Sequence, residues 1–346
     1  MVGPSDDTVG PNLTCRSFPT TETPIALASL PLRLGSSGDD VADLQRRLRA
    51  AGHPVERVTG RFDDATRAAV AAFQAAAGLD ADGECDGDTW SSLVESGFAL
   101  GTRLLCLRSP MMRGDDVAEL QLRLSTFGFD AGRVDGIFGP TTQTAVGEFQ
   151  RNGGLVSDDV CGPETVACLR RLDGRGGSTP VTGVRERERL RRRAGTRVGL
   201  RVAIGTAGSH HVTSALAAEL QQTGVSALLL GDDWSSQATA TNEFQADLYL
   251  GVVIADDPVV ETSYFSVPGY ESTGGRQLAH MILRELPAAP GWAIGVASGK
   301  RLAILRETRA PAVVVKLGDA SVVETNADLV VASLVRAVDA WADQPC

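Results

Sequence analysis

Two adjacent histidines, His210 and His211, are the side chains in this sequence best suited to hold a metal. Imidazole nitrogens are common zinc ligands, and a catalytic zinc site takes about three protein ligands and leaves one position for water. Adjacent side chains at the start of a helix point in different directions, so this pair is poorly arranged to hold one ion. A third ligand could come from Asp256 or Asp257 on a nearby loop. We therefore expect capping or surface roles for both histidines, with a metal site as the alternative.

The six cysteines offer a second kind of chemistry. They show no Cys-x-x-Cys spacing, and they are too few for the disulfide framework of a small secreted domain. Cys85 and Cys161 each lie just before a turn, at the same place in two repeats, where a small apolar side chain packs well. We expect all six thiols to be free, with these two buried as filler.

The charge of the chain argues against a nucleic-acid partner. The formal net charge is −10, which repels a phosphate backbone, and no extended basic surface is evident. One basic run covers residues 185–193, but it also contains Glu186 and Glu188. Mixed charge of this kind is typical of a solvated linker helix.

Hydropathy predicts a protein that is not anchored in a membrane. No segment approaches the roughly 18 apolar residues that a membrane-spanning helix needs. The first residues contain two aspartates, no Lys or Arg before Arg16 and no following apolar run, which differs from a secretory signal. We therefore expect a cytoplasmic location.

An internal repeat organises the first half of the chain. Residues 38–93 recur in register, without a gap, as residues 114–169. In the second copy Val117, Leu120 and Leu124 line one helix face before Gly128, and two further helices are predicted in each copy. The identical pairs include Gly38 and Gly114, Leu44 and Leu120, Gln45 and Gln121, Phe62 and Phe138, Phe73 and Phe149, Gln74 and Gln150, and Cys85 and Cys161.

The turn before the second helix has a distinctive composition. Residues 134–140 are Val-Asp-Gly-Ile-Phe-Gly-Pro: the aspartate can bond its own backbone, the glycines permit positive φ, and proline suits the first turn of a helix. The first copy, at residues 59–64, lacks the second glycine and the proline. Around this turn we take five residues as candidates for ligand binding: Asp135, Gly136, Phe138, Gly139 and Thr142.

With its Asp-Gly-Ile-Phe-Gly-Pro turn and terminal Phe-Gln, this repeat resembles the peptidoglycan-binding type 1 module, in two copies that cover residues 32–172. The resemblance implies three-helix modules that tether proteins to cell-wall glycan and peptide and have no catalytic residues. The alternative is that both copies are packing units for protein contacts.

The last part of the chain predicts an α/β domain. Apolar runs at residues 201–204 and 227–230 flank a helical stretch at residues 213–222, which is a β-α-β arrangement. Further apolar runs at residues 248–254, 292–296 and 312–317, with helical stretches at residues 275–285 and 327–341, extend the sheet and cover it with helices.

Residues 242–253 and 302–318 of this domain resemble the zinc-dependent N-acetylmuramoyl-L-alanine amidases. The resemblance implies a leucine-rich strand, a polar turn and a valine-rich strand in the second segment. It also implies a zinc held by two His and one Glu, with another Glu as general base. In this sequence Val253 stands at the last histidine position and Lys316 at the catalytic glutamate, and the loop after residue 204 is shortened. We expect no catalytic residue, no cofactor and no bound zinc.

The combination of modules, connector and degenerate amidase domain resembles the actinobacterial CwlM type of protein. This resemblance implies a non-catalytic regulator or scaffold that contacts peptidoglycan or its precursors and proteins of cell-wall synthesis. The alternatives are a zinc amidase with an altered site and an exported wall-binding protein. The predicted organisation is a flexible N-terminal segment at 1–30, modules at 31–98 and 104–172, a linker at 173–197, and the amidase-like domain at 198–343.

Overall fold

The computed structural model describes residues 30–53, 55–77, 79–173, 186, 188, 199–207, 210–231, 234–255, 258–267, 269–286 and 292–343. Almost all of the expected N-terminal segment at 1–30 lies outside these residues, as does the linker at 173–197 apart from Asp173, Glu186 and Glu188. The chain divides into two compact units, Met1–Leu30 with Ser92–Thr182 and Pro31–Ser91 with Gly183–Cys346.

Each repeat folds as three helices, as the apolar periodicity predicts. In the second copy Val117, Leu120 and Leu124 are completely buried and pack with Phe138 and Phe149 into one core. The helices are α1 (Asp39–Ala50), α2 (Asp64–Ala77), α3 (Gly87–Ser96), α4 (Asp115–Thr126), α5 (Pro140–Asn152) and α6 (Pro163–Arg171).

The α/β domain contains one mixed sheet among the described residues. Its strands are β1 (Arg201–Ala207), β2 (Ser226–Leu230), β3 (Leu248–Ile254), β4 (Val259–Val267), β5 (Tyr270–Glu271), β6 (Ala293–Lys300) and β7 (Ala312–Leu317). The order β2-β1-β3-β7 is parallel, β4 runs antiparallel to β7, and β6 lies parallel to β4 on its other side. The short strand β5 pairs antiparallel with the end of β4.

Helices cover both faces of this sheet. They are α7 (His210–Gln222), α8 (Trp234–Glu243), α9 (Thr273–Glu285), α10 (Ala303–Glu307), α11 (Ala320–Thr325) and α12 (Ala327–Asp343). On one face Ile204, Leu250 and Val315 pack with apolar side chains of α7, α9 and α12. Helix α10 contacts α8, β4 and β7. Side chains of successive strand residues alternate between these faces.

One local expectation is wrong. Residues 303–305, expected as part of a leucine-rich strand, begin helix α10 instead, with Leu302 as its N-cap residue, and only residues 312–317 form a strand in this segment. Ile304 and Leu305 are completely buried. A short apolar run is compatible with a buried helix as well as with a buried strand, so the sequence pattern did not distinguish the two.

Across the part of the chain that the structure describes, no helix combines the length and the apolar character needed to span a lipid bilayer.

Candidate functional site

Four residues on four neighbouring strands form one row across the sheet, near the carboxyl ends of β1, β3 and β7. Ala207 pairs with Val253, Val253 pairs with Lys316, and Lys316 pairs with Glu261 on β4. Register partners on neighbouring strands point to the same face, so Val253, Lys316 and Glu261 are neighbours on one surface. The row brings together the two positions singled out from the sequence, Val253 and Lys316.

The polar members of the row are oppositely charged. Lys316 Nζ lies 4.0 Å from Glu261 Oε2, and the side chains are 29% and 35% exposed. A pair that is exposed to this degree contributes about 0–1 kcal/mol to stability. The chemical consequence of the pair is larger. The resemblance to the amidases implies a glutamate acting as general base at position 316, and this chain has an ammonium group there, with the Glu261 carboxylate opposite.

Sequence reasoning missed Glu261, because β4 was not predicted. The signal that could have found it is the β-branched and aromatic content of residues 259–267, which favours a strand. Val253 is half-buried and has no atom that can coordinate a metal.

The two histidines lie at the start of α7, as the sequence predicts, directly after the segment that follows β1. His211 is exposed. Asp256 and Asp257 lie outside the described residues. Within the described ranges, no group of three or more His, Cys, Asp or Glu is placed to hold a metal ion.

Beneath the row, Tyr249 forms a buried polar contact that the sequence did not indicate. Its hydroxyl donates to Gln237 Oε1 at 2.5 Å, and burial raises the pKa of the phenol. The ring reaches over Gly205 of β1, where a Cβ atom would collide with both Tyr249 Oη and Gln237 Oε1. Gly205 pairs with Gly251 of β3, and a Cβ there would also meet the tyrosine hydroxyl. Two glycines therefore make room for the ring below the site.

In the second module, Gln121 organises the turn that contains the five ligand-binding candidates. Its Oε1 accepts hydrogen bonds from the backbone N–H groups of Asp135 (3.0 Å) and Gly136 (2.8 Å). Its Nε2 donates to Asp135 Oδ1, to the Ile137 carbonyl and to Thr142 Oγ1, at 2.8–3.1 Å. One buried amide therefore binds the turn from inside the module.

The candidates differ in what they present to a ligand. Phe138 is 0% exposed and Thr142 2% exposed, so both side chains face the core. Asp135 accepts from the Ile137 N–H at 2.8 Å, and burial raises the pKa of its carboxyl group. Gly139 is half-buried, beside the sulfur of Met111, whose side chain is 49% exposed.

Three other buried glutamines also bind a turn or loop of their module through hydrogen bonds. Gln45 binds the turn of the first module through the N–H groups of Thr59 and Gly60. Gln74 and Gln150, which end the Phe-Gln pairs, bind the loop before the third helix, with Nε2 donating to Asp82 and Asp158. The signal for these residues was present in the sequence, because polar side chains identical in both copies lie within apolar helix faces.

The cysteines depart in one place from the expectation. Cys85, Cys161 and Cys168 are free and buried, and burial raises the pKa of the Cys85 and Cys161 thiols to about 12. Cys106 is disulfide-bonded. The expectation of six free thiols is therefore wrong at Cys106. Neither the spacing nor the composition contained a signal for this bond.

Both the repeats and the chain as a whole are similar to known proteins. Residues 37–93 and 113–169 match the family described as "Putative peptidoglycan binding domain". The chain is 32% identical over 330 residues to the N-acetylmuramoyl-L-alanine amidase CwlM of Mycobacterium tuberculosis, covering 83% of this chain and 81% of that protein. It is 32% identical over 163 residues to the amidase CwlL of Bacillus licheniformis, covering 41% of this chain and 45% of that protein.

Solved structures of amidases align with part of the chain. The amidase Ami1 from Mycobacterium smegmatis is 13% identical, covers 43% of this chain and 99% of its own, and has a TM-score of 0.36. The amidase AmiC2 of Nostoc punctiforme is 15% identical, covers 42% of this chain and 98% of its own, and has a TM-score of 0.35.

Proposed function

We propose that this chain, which belongs to the family of the N-acetylmuramoyl-L-alanine amidase CwlM, binds peptidoglycan or its precursors without cleaving them. Peptidoglycan-binding modules and an amidase-like domain are its two parts. In this proposal the amidase-like domain is a non-catalytic scaffold or regulator that contacts proteins of cell-wall synthesis.

The observation that carries the proposal is the row of Val253, Lys316 and Glu261. Metal-assisted amide hydrolysis needs ligands that hold the ion and a base that takes a proton from the attacking water. Val253 offers no donor atom, and Lys316 places a positive charge where the amidases that the domain resembles have a carboxylate. These residues do not fit a zinc site, so the proposal includes no bound zinc.

The binding half of the proposal is supported by the turns of the modules. Each is bound from inside by a buried glutamine, Gln45 or Gln121. A surface that is already ordered loses little conformational entropy when a ligand binds, which favours affinity. Near the second turn, Gly139 and Met111 offer backbone and an exposed apolar side chain to such a ligand.

The test combines sedimentation with a cleavage assay on the full chain. The protein should co-sediment with purified peptidoglycan, and no stem peptide should be released from peptidoglycan or from a soluble muramoyl-peptide, with or without added zinc. Release by the wild type would overturn the non-catalytic half. Failure to sediment would overturn wall binding and leave soluble precursors as the ligand to test.

A working amidase with an altered site is the first alternative, and the Glu261 carboxylate in the row favours it. If released from Lys316, this group could act as a base. Glu261→Gln distinguishes the two cases, because it should abolish any cleavage that depends on this carboxylate while peptidoglycan binding stays unchanged.

Location is a separate question. We propose the cytoplasm, as the sequence led us to expect, whereas the disulfide at Cys106 favours the alternative of an exported wall-binding protein. Disulfides persist mainly in oxidising compartments. Cell fractionation, with alkylation of free thiols before lysis, decides between them: a cytoplasmic pool with a reduced Cys106 supports the proposal, and an extracellular oxidised pool supports export.

A further inference from the structure

The amino end of helix α9 holds a carboxylate from a distant part of the chain. Glu186 Oε1 accepts hydrogen bonds from Ser272 Oγ at 2.7 Å and from the Gly274 N–H at 3.2 Å. Its Oε2 accepts from Tyr270 Oη and from the Thr273 N–H, both at 3.2 Å. Each carboxylate oxygen therefore receives one hydroxyl and one backbone amide.

The four donors are held in place by the fold rather than by the carboxylate. Ser272 is 2% exposed and caps α9, since its Oγ also accepts from the Gly275 N–H at 3.2 Å. Trp341 Nε1 donates to the Gly274 carbonyl at 3.2 Å and ties this turn to α12. Tyr270 is 9% exposed and packs against Phe265. Because these contacts do not involve Glu186, we expect the donors to keep their positions without it.

The chemistry of the donors indicates which ligand suits them. All four are neutral, and the positive end of the helix dipole adds a further attraction for an anion. Two pairs of donors, one for each oxygen, match a planar group with two equivalent acceptors. A carboxylate meets this demand, whereas an amide would place its NH₂ group against two donors.

We propose that Tyr270, Ser272 and the first turn of α9 form a carboxylate-binding site. Glu186, which lies in the linker at residues 173–197, here called the connector, is its resident ligand. Glu186 lies in the basic run at residues 185–193, in which six of the nine residues are arginines. Occupation of the site holds Glu186 against the α/β domain. A carboxylate supplied by another molecule would compete with Glu186 and displace it from the site.

The first experiment asks whether the site takes a carboxylate. In the full chain carrying Glu186→Ala, acetate should shift the amide resonances of Thr273 and Gly274 saturably. Acetamide, which has the same shape without the charge, should not. In the wild type the same acetate concentrations should produce a much smaller shift, because Glu186 already occupies the site. No saturable shift in Glu186→Ala, or equal shifts with acetamide, would overturn the proposal.

A second experiment asks whether occupation restrains the connector. Loss of a charged hydrogen-bond acceptor corresponds to about a tenfold change in an opening equilibrium. Glu186→Gln should therefore speed hydrogen exchange at Thr273 and Gly274, and tryptic cleavage after Arg185 and Arg187, by about that factor. Glu188→Gln, which removes the same charge two residues later, is the matched control. It should leave both rates within about twofold of the wild-type rates.

Acetate added to the Glu186→Ala variant distinguishes two effects: occupation of the carboxylate site, and restraint of the connector by Glu186. It should restore slow exchange at Gly274 but should not slow tryptic cleavage, because free acetate is not joined to the connector. Equal rates in wild type and Glu186→Gln would show that the contact does not restrain the connector. Tyr270→Phe, which deletes one donor and keeps the ring, should weaken acetate binding to Glu186→Ala; unchanged binding would remove Tyr270 from the site.

Discussion

Lys316 on β7 and Glu261 on β4 are register partners, with Nζ and Oε2 4.0 Å apart. The antiparallel pairing of β4 with β7 therefore sets a carboxylate opposite the only charged side chain of β7. In the proposed function, this ion pair occupies the position of a catalytic base.

Lys316→Glu should not produce hydrolysis, because a general base contributes only about 10²–10⁴-fold and acts on a water that must first be activated. It should lower the free energy of unfolding by up to about 1 kcal/mol, since two like charges then face each other. Lys316→Met is the control that removes the charge without reversing it. Urea unfolding and release of stem peptide are the measurements; cleavage by Lys316→Glu alone would mean that an intact metal site exists.

Gly136→Val should destabilise the second module by about 1–3 kcal/mol. Gly136 has φ +73°, and a Cβ there would lie 3.0 Å from the Gly114 carbonyl oxygen. Gly139→Ala is the matched control three residues later, because its φ is −94° and its added Cβ would meet nothing closer than the Met111 sulfur at 3.9 Å. Thermal unfolding followed by circular dichroism compares the two; equal melting temperatures would contradict the positive φ.

Gln121→Met should destabilise the same module by about 2–3 kcal/mol, because it keeps the volume but leaves the Asp135 and Gly136 N–H groups without their acceptor. Gln143→Met changes the same chemistry at a half-buried position of α5 and should have little effect. Peptidoglycan binding should fall with Gln121→Met even where the module remains folded. If Gln121→Met kept its affinity for peptidoglycan, the turn would not be part of the binding surface.

Gly205→Ala should destabilise the α/β domain by about 1–3 kcal/mol, because the new methyl collides with Tyr249 Oη and Gln237 Oε1. Gly231→Ala, where an added Cβ meets nothing within 4 Å, is the control. Tyr249→Phe removes the colliding hydroxyl, so the double variant should lose less than the sum of the single losses. Strict additivity in urea unfolding would show that the two residues do not interact.

Cys85 and Cys161 should resist alkylation in the native protein at neutral pH, because burial raises the pKa of each thiol to about 12. Both thiols are neutral when folded, whereas the unfolded thiols ionise above about pH 8.5. Stability should therefore be intact below pH 8.5 and fall as the pH rises toward 12. Cys85→Ala with Cys161→Ala should flatten this decline. Rapid native alkylation at pH 7 would contradict the buried state.

Local pattern was sufficient for much of this architecture. The repeat, its three helices and the buried faces of Val117, Leu120 and Leu124 follow from apolar spacing, which acts within a few turns of one helix. The segments that contain Val253 and Lys316 were also found as strands, because a run of β-branched residues is a local signal. Helix α10 shows the limit, since a short apolar run suits either a strand or a buried helix.

Tertiary structure alone decided which residues meet. That Glu261 faces Lys316 depends on the direction and register of β4, and a shift of one residue would have turned its side chain to the other face. That Gln121 binds the turn depends on how α4 packs beside it, and that Glu186 reaches α9 depends on contacts between segments 84–88 residues apart. Such contacts form only when distant segments pack together, so composition and periodicity, which are local properties, contain the candidates for the site but not their partners.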